Sequence, residues 1–348
     1  MKKTFSVLTA IALVAGSLLT GCGQNADNSA NTGQSGGKKI GMVADLGGVN
    51  DNSYNQSGWE GLQKLGKDKG VQVKYLESKS DADYETNLNQ FVQQNWDLKW
   101  AIGFSMDNAV KRVAAANKDT YFGIVDSDLG GEIPANVASV TFKEEQGSFL
   151  VGLIAGYMTK TNKVGFVGGV DFATINKFEY GFKAGVKAAN PNAEVFSVYT
   201  GSFSAPDLGK QAAATMYDKG ADIIYHASGA TGDGVFNEAK ERKANGKEVW
   251  VIGVDKDQSV TFGTDVTLTS MIKRVDQAIY QMSEQFLNGN FPVGKQTVLG
   301  LAEEGVGIAP TTNVNVPADI LEKVNTFREK IIKGELKVPA TKDEFNNF

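Results

Sequence analysis

The stretch Asp45-Leu46-Gly47-Gly48-Val49-Asn50-Asp51-Asn52-Ser53-Tyr54-Asn55-Gln56 follows an apolar run at Lys39–Ala44 and precedes an amphipathic segment around Trp59. This order predicts a strand, a polar turn and a helix. In open α/β sheets, ligands bind at the carboxyl ends of the strands, which is where this turn would lie. The turn therefore offers carboxylates, amides and one aromatic ring to a ligand.

The polar side chains of this turn indicate the chemistry of the ligand. Carboxylates and amides hydrogen-bond N–H and O–H groups, and the ring of Tyr54 can stack on a flat molecule. Asp45 and Asp51 would repel a phosphate, and the turn contains no lysine or arginine. We therefore expect a neutral ligand that is rich in hydroxyl groups or nitrogen atoms. A plain Asn/Asp/Gly turn without a binding role is the alternative.

The composition of the chain limits the classes of function. Its 348 residues are enough for two domains, and a net charge of −5 without a long basic block argues against nucleic-acid binding. The chain has one cysteine and one histidine. These counts exclude an internal disulfide and argue against a cysteine- or histidine-based metal site and a Ser-His-Asp hydrolase. We expect no metal and no cofactor.

Residues 1–22 resemble a bacterial export signal. Two lysines precede an apolar core at Phe5–Leu19, which is too short to span a membrane. The tetrapeptide Leu19-Thr20-Gly21-Cys22 resembles the lipobox, which implies that Cys22 receives a lipid and begins the mature protein. Residues 23–37 would form a flexible tether, and the protein would be lipid-anchored at the extracytoplasmic face of the cell membrane. A plain signal peptide with an incidental cysteine is the alternative.

From Lys38 onward, short apolar strands alternate with helices, a pattern typical of parallel sheets covered on both faces. Two halves repeat the pattern, since Lys39–Asp45 matches Lys163–Asp171 and Tyr121–Asp126 matches Val249–Asp255. The sequence therefore predicts an α/β protein with two doubly wound parallel-sheet lobes. Their strand ends would face each other across a cleft.

The lobe boundaries follow from the extra strands and helices near the end of the chain. We predict that lobe 1 contains residues 38–142 and 256–297, and that lobe 2 contains residues 143–255 and 298–348. Three crossovers between the lobes would form a hinge near Phe142–Glu144, Asp255–Asp257 and Thr297–Leu301. In this scheme the aromatic rings of predicted strands are expected in the core: Phe104, Phe122 and Phe166.

Several motifs together resemble the basic membrane protein family, also called PnrA-like, which comprises nucleoside-binding lipoproteins of ABC importers. These motifs are the turn at Asp45–Gln56 and the segments Phe142–Glu145, Asn176–Phe182 and Gly253–Gln258. The similarity extends from about Lys38 to Ile308. It implies the type I periplasmic-binding-protein fold, in which two lobes joined by a three-strand hinge close on a ligand.

The resemblance implies roles for residues around the base of a nucleoside. Asp45 would bind the base, and Asp126 would face the base or the cleft. Tyr54, with Asn55 beside it, and Phe178 would stack on the two faces of the base. Position 54 is a departure, because the family usually has phenylalanine there. The tyrosine ring still stacks, but its hydroxyl group needs water or a polar neighbour.

Three further residues are implied to bind the sugar. Gly229 would let the backbone approach the ribose, and Asp255 would accept hydrogen bonds from its hydroxyl groups. Lys273 would donate to a ribose hydroxyl and balance the charge of Asp255. Without the resemblance, Asp45 could be a helix cap, the two aspartates at strand ends could only terminate strands, and Lys273 could lie on the surface.

The resemblance and the residue chemistry together predict a substrate-binding lipoprotein of an ABC importer. It would capture nucleosides as a monomer, with purines favoured because they offer more stacking area, and deliver them to permease and ATPase subunits. A sugar-binding or signalling-molecule-binding protein on the same fold is the alternative. A nucleoside hydrolase with a metal held by Asp45, Asp51 and Asp126 is a weaker hypothesis, because a Gly-Gly turn separates the first two aspartates.

Overall fold

Residues 37–348 are described by a computed structural model, and these residues form two six-stranded sheets. The predicted export signal at residues 1–22, its Cys22 and residues 23–36 of the predicted tether lie outside the described residues. Among the helices of residues 37–348, none is long and apolar enough to cross a membrane.

Strands and helices alternate along almost the whole described chain. The strands are β1 (Lys39–Val43), β2 (Gln72–Leu76), β3 (Leu98–Ile102), β4 (Tyr121–Val125), β5 (Val137–Phe142), β6 (Lys163–Gly168), β7 (Glu194–Tyr199), β8 (Ile223–Ala227), β9 (Trp250–Asp255), β10 (Thr267–Lys273), β11 (Lys295–Leu299) and β12 (Val306–Ile308). The helices are α1 (Tyr54–Lys69), α2 (Asp81–Gln93), α3 (Asp107–Ala116), α4 (Glu144–Met158), α5 (Ala173–Ala189), α6 (Pro206–Asp218), α7 (Thr231–Ala244), α8 (Ser259–Phe262), α9 (Val275–Leu287), α10 (Ala318–Ile332) and α11 (Lys342–Asn346).

Both sheets have the same doubly wound strand order. The first is β11-β5-β4-β3-β1-β2 and the second is β12-β10-β9-β8-β6-β7. The strands of the first sheet are parallel, and in the second sheet β12 runs antiparallel to β10. The repeat in the sequence is confirmed, since β1 corresponds to β6 and β4 to β9. Parallel strands place their carboxyl ends at one edge of each sheet, and the predicted site residues lie at these edges.

The structure corrects the predicted lobe boundaries at one strand. Residues 256–297 were assigned to the first lobe, but β10 pairs with β9 in the second sheet. The chain between these two strands makes a short crossover through α8 within one sheet, so it does not leave the lobe there. It leaves after β10, because the next helix, α9, packs on α1 of the first lobe.

The crossovers between the lobes change accordingly. Within residues 37–348 the chain passes between the sheets at Phe142–Glu144, at Lys273–Val275 and at Leu299–Val306. The first lies at the predicted residues, and the third overlaps the predicted range Thr297–Leu301 but extends to Val306. The middle crossover lies at the end of β10 instead of at Asp255–Asp257, which places Lys273 directly at the hinge.

Close packing against α4 fixes the position of α5, the helix that carries Phe178. A Cβ atom on Gly152 would lie 2.3 Å from the carbonyl oxygen of Phe182, and one on Gly185 would lie 2.1 Å from that of Phe149. Glycine is therefore required at both contacts, because any side chain would force the helices apart. The two predicted core rings Phe122 and Phe166 are fully buried as expected.

Candidate ligand-binding site

A cavity lies between the two sheets, at the carboxyl ends of their strands. Residues of both lobes line it, and small-molecule sites are often formed at the interface between two domains. All the residues predicted to bind a ligand line it: Asp45, Tyr54, Asn55, Asp126, Phe178, Gly229, Asp255 and Lys273. The structure thus brings together residues that are far apart in the sequence. Their contact with a ligand stays a prediction.

Asp51 organises the turn between β1 and α1. Its carboxylate accepts hydrogen bonds from the backbone N–H groups of Ser53, Asn55 and Gln56, at 3.0, 2.9 and 3.0 Å. These donors belong to the start of α1, where N–H groups have no partner inside the helix. Asp51, rather than Asp45, therefore caps the helix.

The side chain of Asn55 joins the two aspartates of the turn. Its Nδ2 donates to Asp45 Oδ1 at 2.7 Å and to Asp51 Oδ2 at 2.9 Å, while its Oδ1 accepts from the backbone N–H of Asp45 at 3.0 Å. Both amide hydrogens are therefore used within the protein. This arrangement makes Asn55 a residue that positions Asp45.

One carboxylate oxygen of Asp45 accepts hydrogen bonds from the protein, and the other faces the cavity. Oδ1 also accepts from the backbone N–H of Gly47 at 2.8 Å, whereas Oδ2 lies near Gly103, another cavity residue. Burial raises the pKa of Asp45 to about 6, against the hydrogen bonds from Gly47 and Asn55, which lower it. The carboxylate is therefore mostly ionised at neutral pH and can accept a hydrogen bond from a ligand.

Lys273 forms a buried ion network at the hinge. Its Nζ lies 2.5 Å from Asp126 Oδ2 and 3.0 Å from Glu144 Oε1, and Lys177 Nζ lies 3.1 Å from Glu144 Oε2. Burial acts to lower the pKa of Lys273, but the carboxylates of Asp126, Glu144 and Asp255 outweigh it and raise the pKa. Lys273 thus acts electrostatically on Asp255, but its direct ion pairs are with Asp126 and Glu144, because the end of β10 lies beside the start of α4 and the end of β4.

Three aromatic rings surround the ammonium group of Lys273. Its Nζ lies 5.1 Å from the ring centre of Tyr54, 5.0 Å from that of Phe142 and 5.4 Å from that of Phe178. Cations are attracted to aromatic faces at such distances. Tyr54 from the first lobe and Phe178 from the second are thereby held around one charged centre.

Three buried polar atoms near Lys273 have no hydrogen-bond partner of normal geometry within residues 37–348. They are the hydroxyl of Tyr54, Oδ1 of Asp126 and Oε1 of Glu144, although the last lies 3.0 Å from Lys273 Nζ. Burial and the nearby carboxylates of Asp126 and Asp45 raise the pKa of the Tyr54 hydroxyl, so it keeps its proton and remains a donor. The Tyr54 hydroxyl lies close enough to the Asp126 carboxylate to act on its pKa as a hydrogen-bond donor, so these two groups can satisfy each other when no ligand is bound.

Asp126 directly follows β4 and Asp255 is the last residue of β9, at corresponding positions of the two lobes. Both adopt the left-handed backbone region, with φ of 65° and 64°. Aspartate tolerates this region better than most residues, and such strain is concentrated at functional sites. Asp255 also accepts a hydrogen bond from the Ser53 hydroxyl of the first lobe, and burial raises its pKa to about 7.

An aromatic cluster that the sequence pattern does not reveal lies at the mouth of the cavity. Phe104 was expected in the core, but β3 ends at Ile102 and Phe104 begins a 3₁₀ turn instead. Its ring stacks on Phe172 of the second lobe, with centres 4.1 Å apart and planes 9° apart. Phe203, also from the second lobe, lies 6.3 Å away and lines the cavity. The strand ends early at Gly103, which has a φ of 114°. The glycine at this position is the feature of the sequence that could have indicated the end of the strand.

Hydrogen bonds across the cleft show that the two lobes are closed. Asn52 Nδ2 donates to Asp233 Oδ2 at 3.0 Å, and Gln258 Nε2 donates to the carbonyl oxygen of Asn52 at 3.1 Å. The described part of the chain has no cluster of three or more histidine, cysteine, aspartate or glutamate side chains that could hold a metal ion. The arrangement of donors, acceptors and rings suits an uncharged polar ligand.

Comparison with known proteins points to one family. A family model described as ABC transporter substrate-binding protein PnrA-like matches residues 38–342. The CD4+ T-cell-stimulating antigen of Listeria innocua is 44% identical, over 97% of this chain and 99% of its own length. The ABC transporter nucleoside-binding protein BmpA of Lactococcus lactis subsp. cremoris is 37% identical, over 98% of this chain and 100% of its own.

A solved structure supports the same assignment. The crystal structure of ABC transporter system solute-binding proteins from Aeropyrum pernix K1 has a TM-score of 0.81 and 27% sequence identity. The match covers 89% of this chain and 96% of that chain. The fold predicted from the sequence, two α/β lobes of the periplasmic-binding-protein type, is therefore confirmed.

Proposed function

The chain belongs to the PnrA-like family of ABC transporter substrate-binding proteins, and on this premise we propose that it captures a nucleoside between its lobes. Purine nucleosides are the favoured ligands, and the protein delivers them to a permease. The observation that supports this best is the cavity itself, where aromatic rings from both lobes meet a set of carboxylates. The name of the Lactococcus relative, which includes nucleoside binding, agrees with it.

The base is held by aromatic rings in this proposal. Tyr54 lies on the first lobe and Phe178 on the second, so closure brings a ring to each face of a flat ligand. Stacking contributes about 1–3 kcal/mol per base. A purine has the larger stacking area, which favours purines over pyrimidines. Oδ2 of Asp45 and Oδ1 of Asp126 are the acceptors for N–H groups at the edge of the base.

The charges around the cavity favour an uncharged nucleoside over a nucleotide. Asp45, Asp51, Asp126 and Asp255 line the cavity together with one cation, Lys273, which is already paired with carboxylates. A phosphate would enter a negatively charged, buried site without a free positive group. Desolvation of such an anion is costly unless it is paired.

The cellular role follows from the family. A substrate-binding protein of an ABC transporter presents its ligand to membrane subunits, here the permease and its ATPase. We propose that the chain acts as a monomer and is tethered to the extracytoplasmic face of the membrane by a lipid on Cys22. Binding of nucleic acid is not part of this function, as the net charge of −5 indicates.

The alternatives have less support. A hydrolase would need Asp51 as a metal ligand, but this carboxylate already accepts four hydrogen bonds from the turn and the start of α1. A sugar would also hydrogen-bond to the carboxylates and stack on one ring. The name of the Lactococcus relative, which includes nucleoside binding, favours a nucleoside over a sugar.

A thermal-shift panel tests the proposal. The purified protein is heated with adenosine, guanosine, inosine, uridine, cytidine, ribose, galactose or AMP, after any co-purified ligand has been removed. A ligand at about 100 times its dissociation constant stabilises the protein by roughly 2.7 kcal/mol. We expect the midpoint to rise with purine nucleosides and not with AMP or ribose. A rise with sugars alone would contradict the proposal.

A further inference from the structure

Two consecutive residues of the first lobe reach across the cleft. Asn52 Nδ2 donates to Asp233 Oδ2 at 3.0 Å, and the carbonyl oxygen of Asn52 accepts from Gln258 Nε2 at 3.1 Å. The Ser53 hydroxyl donates to Asp255. The three partners belong to separate segments of the second lobe, namely the first turn of α7, the residue before α8 and the end of β9. Asn52 is thus bonded to the second lobe by both its side chain and its backbone.

The contacts of Asn52 are separate from the contacts that a ligand would make. The wall that residues 37–348 form around the cavity does not include Asn52, Asp233 or Gln258. Another interlobe contact, between Lys256 and Glu60, lies at the surface, where ion pairs contribute little. A change at Asn52 therefore alters the contact between the lobes without removing a group that faces the ligand.

The backbone conformation of Asn52 allows its side chain to be removed cleanly. Its φ of 53° lies in the left-handed region, which asparagine adopts more readily than most residues. Glycine adopts this region without steric cost. Asn52→Gly therefore removes the bond to Asp233, while the backbone keeps its conformation and its bond to Gln258.

The acceptor on the second lobe is a carboxylate whose charge is not balanced. Oδ2 of Asp233 accepts from Asn52, whereas its Oδ1 is buried and has no hydrogen-bond partner in the described chain. Burial and the like charge of Asp51, in the turn of the first lobe, raise the pKa of Asp233 to about 6, against the hydrogen bond from Asn52. The closed cleft thus favours the neutral carboxyl group over the carboxylate.

The segments packed around the first turn of α7 do not balance the charge of Asp233. α7 packs on α6, where Lys210 is paired with Glu241 of α7 and Asp207 has the same sign as Asp233. The ring of His226 lies against this turn, but burial lowers its pKa to about 4, so it is neutral at pH 7. An ionised Asp233 therefore opposes closure, although its oxygen accepts an interlobe hydrogen bond.

We propose that Asn52 and Asp233 form a latch between the lobes, and that the unbalanced charge of Asp233 limits the strength of this latch so that the closed cleft can reopen. The inference rests on the proposed function, in which closure holds a nucleoside and reopening releases it to a permease. Asn52 and Asp233 are positioning residues. Because neither faces the cavity, the latch acts on every bound nucleoside alike.

Dissociation rates test the role of Asn52. Stopped-flow release of inosine and of adenosine is measured for the parent, Asn52→Gly and Asn50→Gly, which makes the same chemical change at an exposed position of the same turn. Asn52→Gly should speed release of both nucleosides by the same factor, about fivefold or more, as expected for a lost hydrogen bond. Equal rates for the two variants, or an effect on one nucleoside alone, would overturn the latch.

A second variant tests the charge of Asp233. Asp233→Asn keeps an oxygen acceptor for Asn52 and cannot ionise, so at about pH 8 it should release inosine about threefold or more slowly than the parent. At about pH 5 the rates should converge, because the parent's Asp233, with a pKa of about 6, is then mostly neutral. Comparison at equal pH cancels the titration of Asp45 and Asp255. Faster release from Asp233→Asn at about pH 8, or a ratio that does not change with pH, would overturn the role of the charge.

Hydrogen exchange tests the latch without a nucleoside. In the purified protein without added ligand, Asn52→Gly should speed exchange of the amides at residues 231–235 relative to the parent and Asn50→Gly, because the contact across the cleft is lost. Thermal unfolding checks that the variants are folded. Equal exchange in all three proteins would overturn the latch. A parent that shows this difference but binds no nucleoside would contradict the proposed function alone.

Discussion

Lys273 and Asp126 form a buried ion pair between the two lobes, with Nζ of the second sheet 2.5 Å from Oδ2 of the first. Glu144, at the start of α4, provides a second carboxylate 3.0 Å from the same ammonium group. Each residue lies next to an end of a strand or helix at the hinge. The pair therefore lies at the hinge and also forms part of the cavity wall, because both residues line the cavity.

Replacement of Lys273 by methionine should destabilise the fold strongly. The variant leaves Asp126 and Glu144 buried without their shared cation, and loss of one partner of a buried ion pair costs about 3–5 kcal/mol. Denaturant unfolding measures this change in the free energy of unfolding. Lys323→Met is the control, because Lys323 is exposed and 3.6 Å from Asp319. Similar stabilities of the two variants would contradict the structural role of Lys273.

Tyr54 should contribute to binding through its ring more than through its hydroxyl. Tyr54→Ala removes the stacking surface, so nucleoside affinity should fall by about tenfold or more. Tyr54→Phe retains the ring and removes only a buried hydroxyl that lies beside the Asp126 carboxylate. It should therefore bind within a few-fold of the parent. Calorimetry distinguishes the two variants, and equal losses would show that the ring is not the contact.

Asn55 should affect binding without contacting the ligand. In Asn55→Ala, Asp45 and Asp51 lose the amide that donates to both of them. The two carboxylates then repel each other, and Asp45 loses its fixed orientation. We expect about tenfold weaker binding, with the helical circular dichroism signal retained. Gln56→Ala is the matched control, since its side chain bonds only the exposed Glu60. Unchanged affinity of Asn55→Ala would remove its positioning role.

The stacked pair Phe104 and Phe172 should slow the release of the ligand. The two rings close the mouth of the cavity from opposite lobes, and aromatic pairs contribute about 0.5–1.5 kcal/mol beyond their buried area. Phe172→Ala should therefore increase the dissociation rate by roughly two- to tenfold in stopped-flow experiments. Tyr121→Ala, at the other end of the first sheet, is the control. A dissociation rate equal to that of the parent would exclude a role for the pair.

The raised carboxyl pKa values predict how pH affects the ligand-free protein. Burial raises the pKa of Asp45 to about 6 and of Asp255 to about 7, from 3.8. Because the folded values are raised, the stability from these groups is fully present below pH 3.8 and is lost as pH rises through about 6 and about 7. The thermal midpoint of the ligand-free protein should therefore fall across this range.

A substitution identifies the group responsible for this pH dependence. Asp255→Asn cannot ionise, so its thermal midpoint should fall less than that of the parent between about pH 6 and pH 8. Asp319→Asn, at an exposed position, should keep the dependence of the parent. If Asp255→Asn and the parent show the same dependence, Asp255 does not have a raised pKa in the folded protein.

Much of the fold was predictable because its signals are local. The apolar runs of β1 and β6 and the polar turn after β1 are visible in the sequence, and the structure places them as expected. The middle crossover was not predictable in this way. Its position depends on whether β10 pairs with β9 or with the first sheet, and this choice is made by long-range packing of α9 on α1.

The site was predicted by resemblance more than by pattern. The eight expected residues line one cavity, but the sequence did not reveal that Lys273 pairs with Asp126 or that Asn55 uses both amide hydrogens within the turn. Lys273 and Asp126 are 147 residues apart in the chain, and the residue pattern of the turn does not show how the Asn55 amide is oriented. Phe104 was assigned to the core because its apolar neighbours suggested a longer β3. The positive φ of Gly103 ends that strand and turns the ring towards the cleft.

The most direct test of the central claim is calorimetry of the parent protein with inosine and with its charged counterpart inosine monophosphate. We expect inosine to bind with one site per chain and a dissociation constant near micromolar or tighter. This affinity corresponds to a favourable binding free energy of roughly 8 kcal/mol or more, which stacking and buried hydrogen bonds can provide. The monophosphate should bind at least about a hundredfold more weakly, because the cavity has no free cation for it. Equal binding of both ligands, or of neither, would contradict the assignment of the cavity as a nucleoside site.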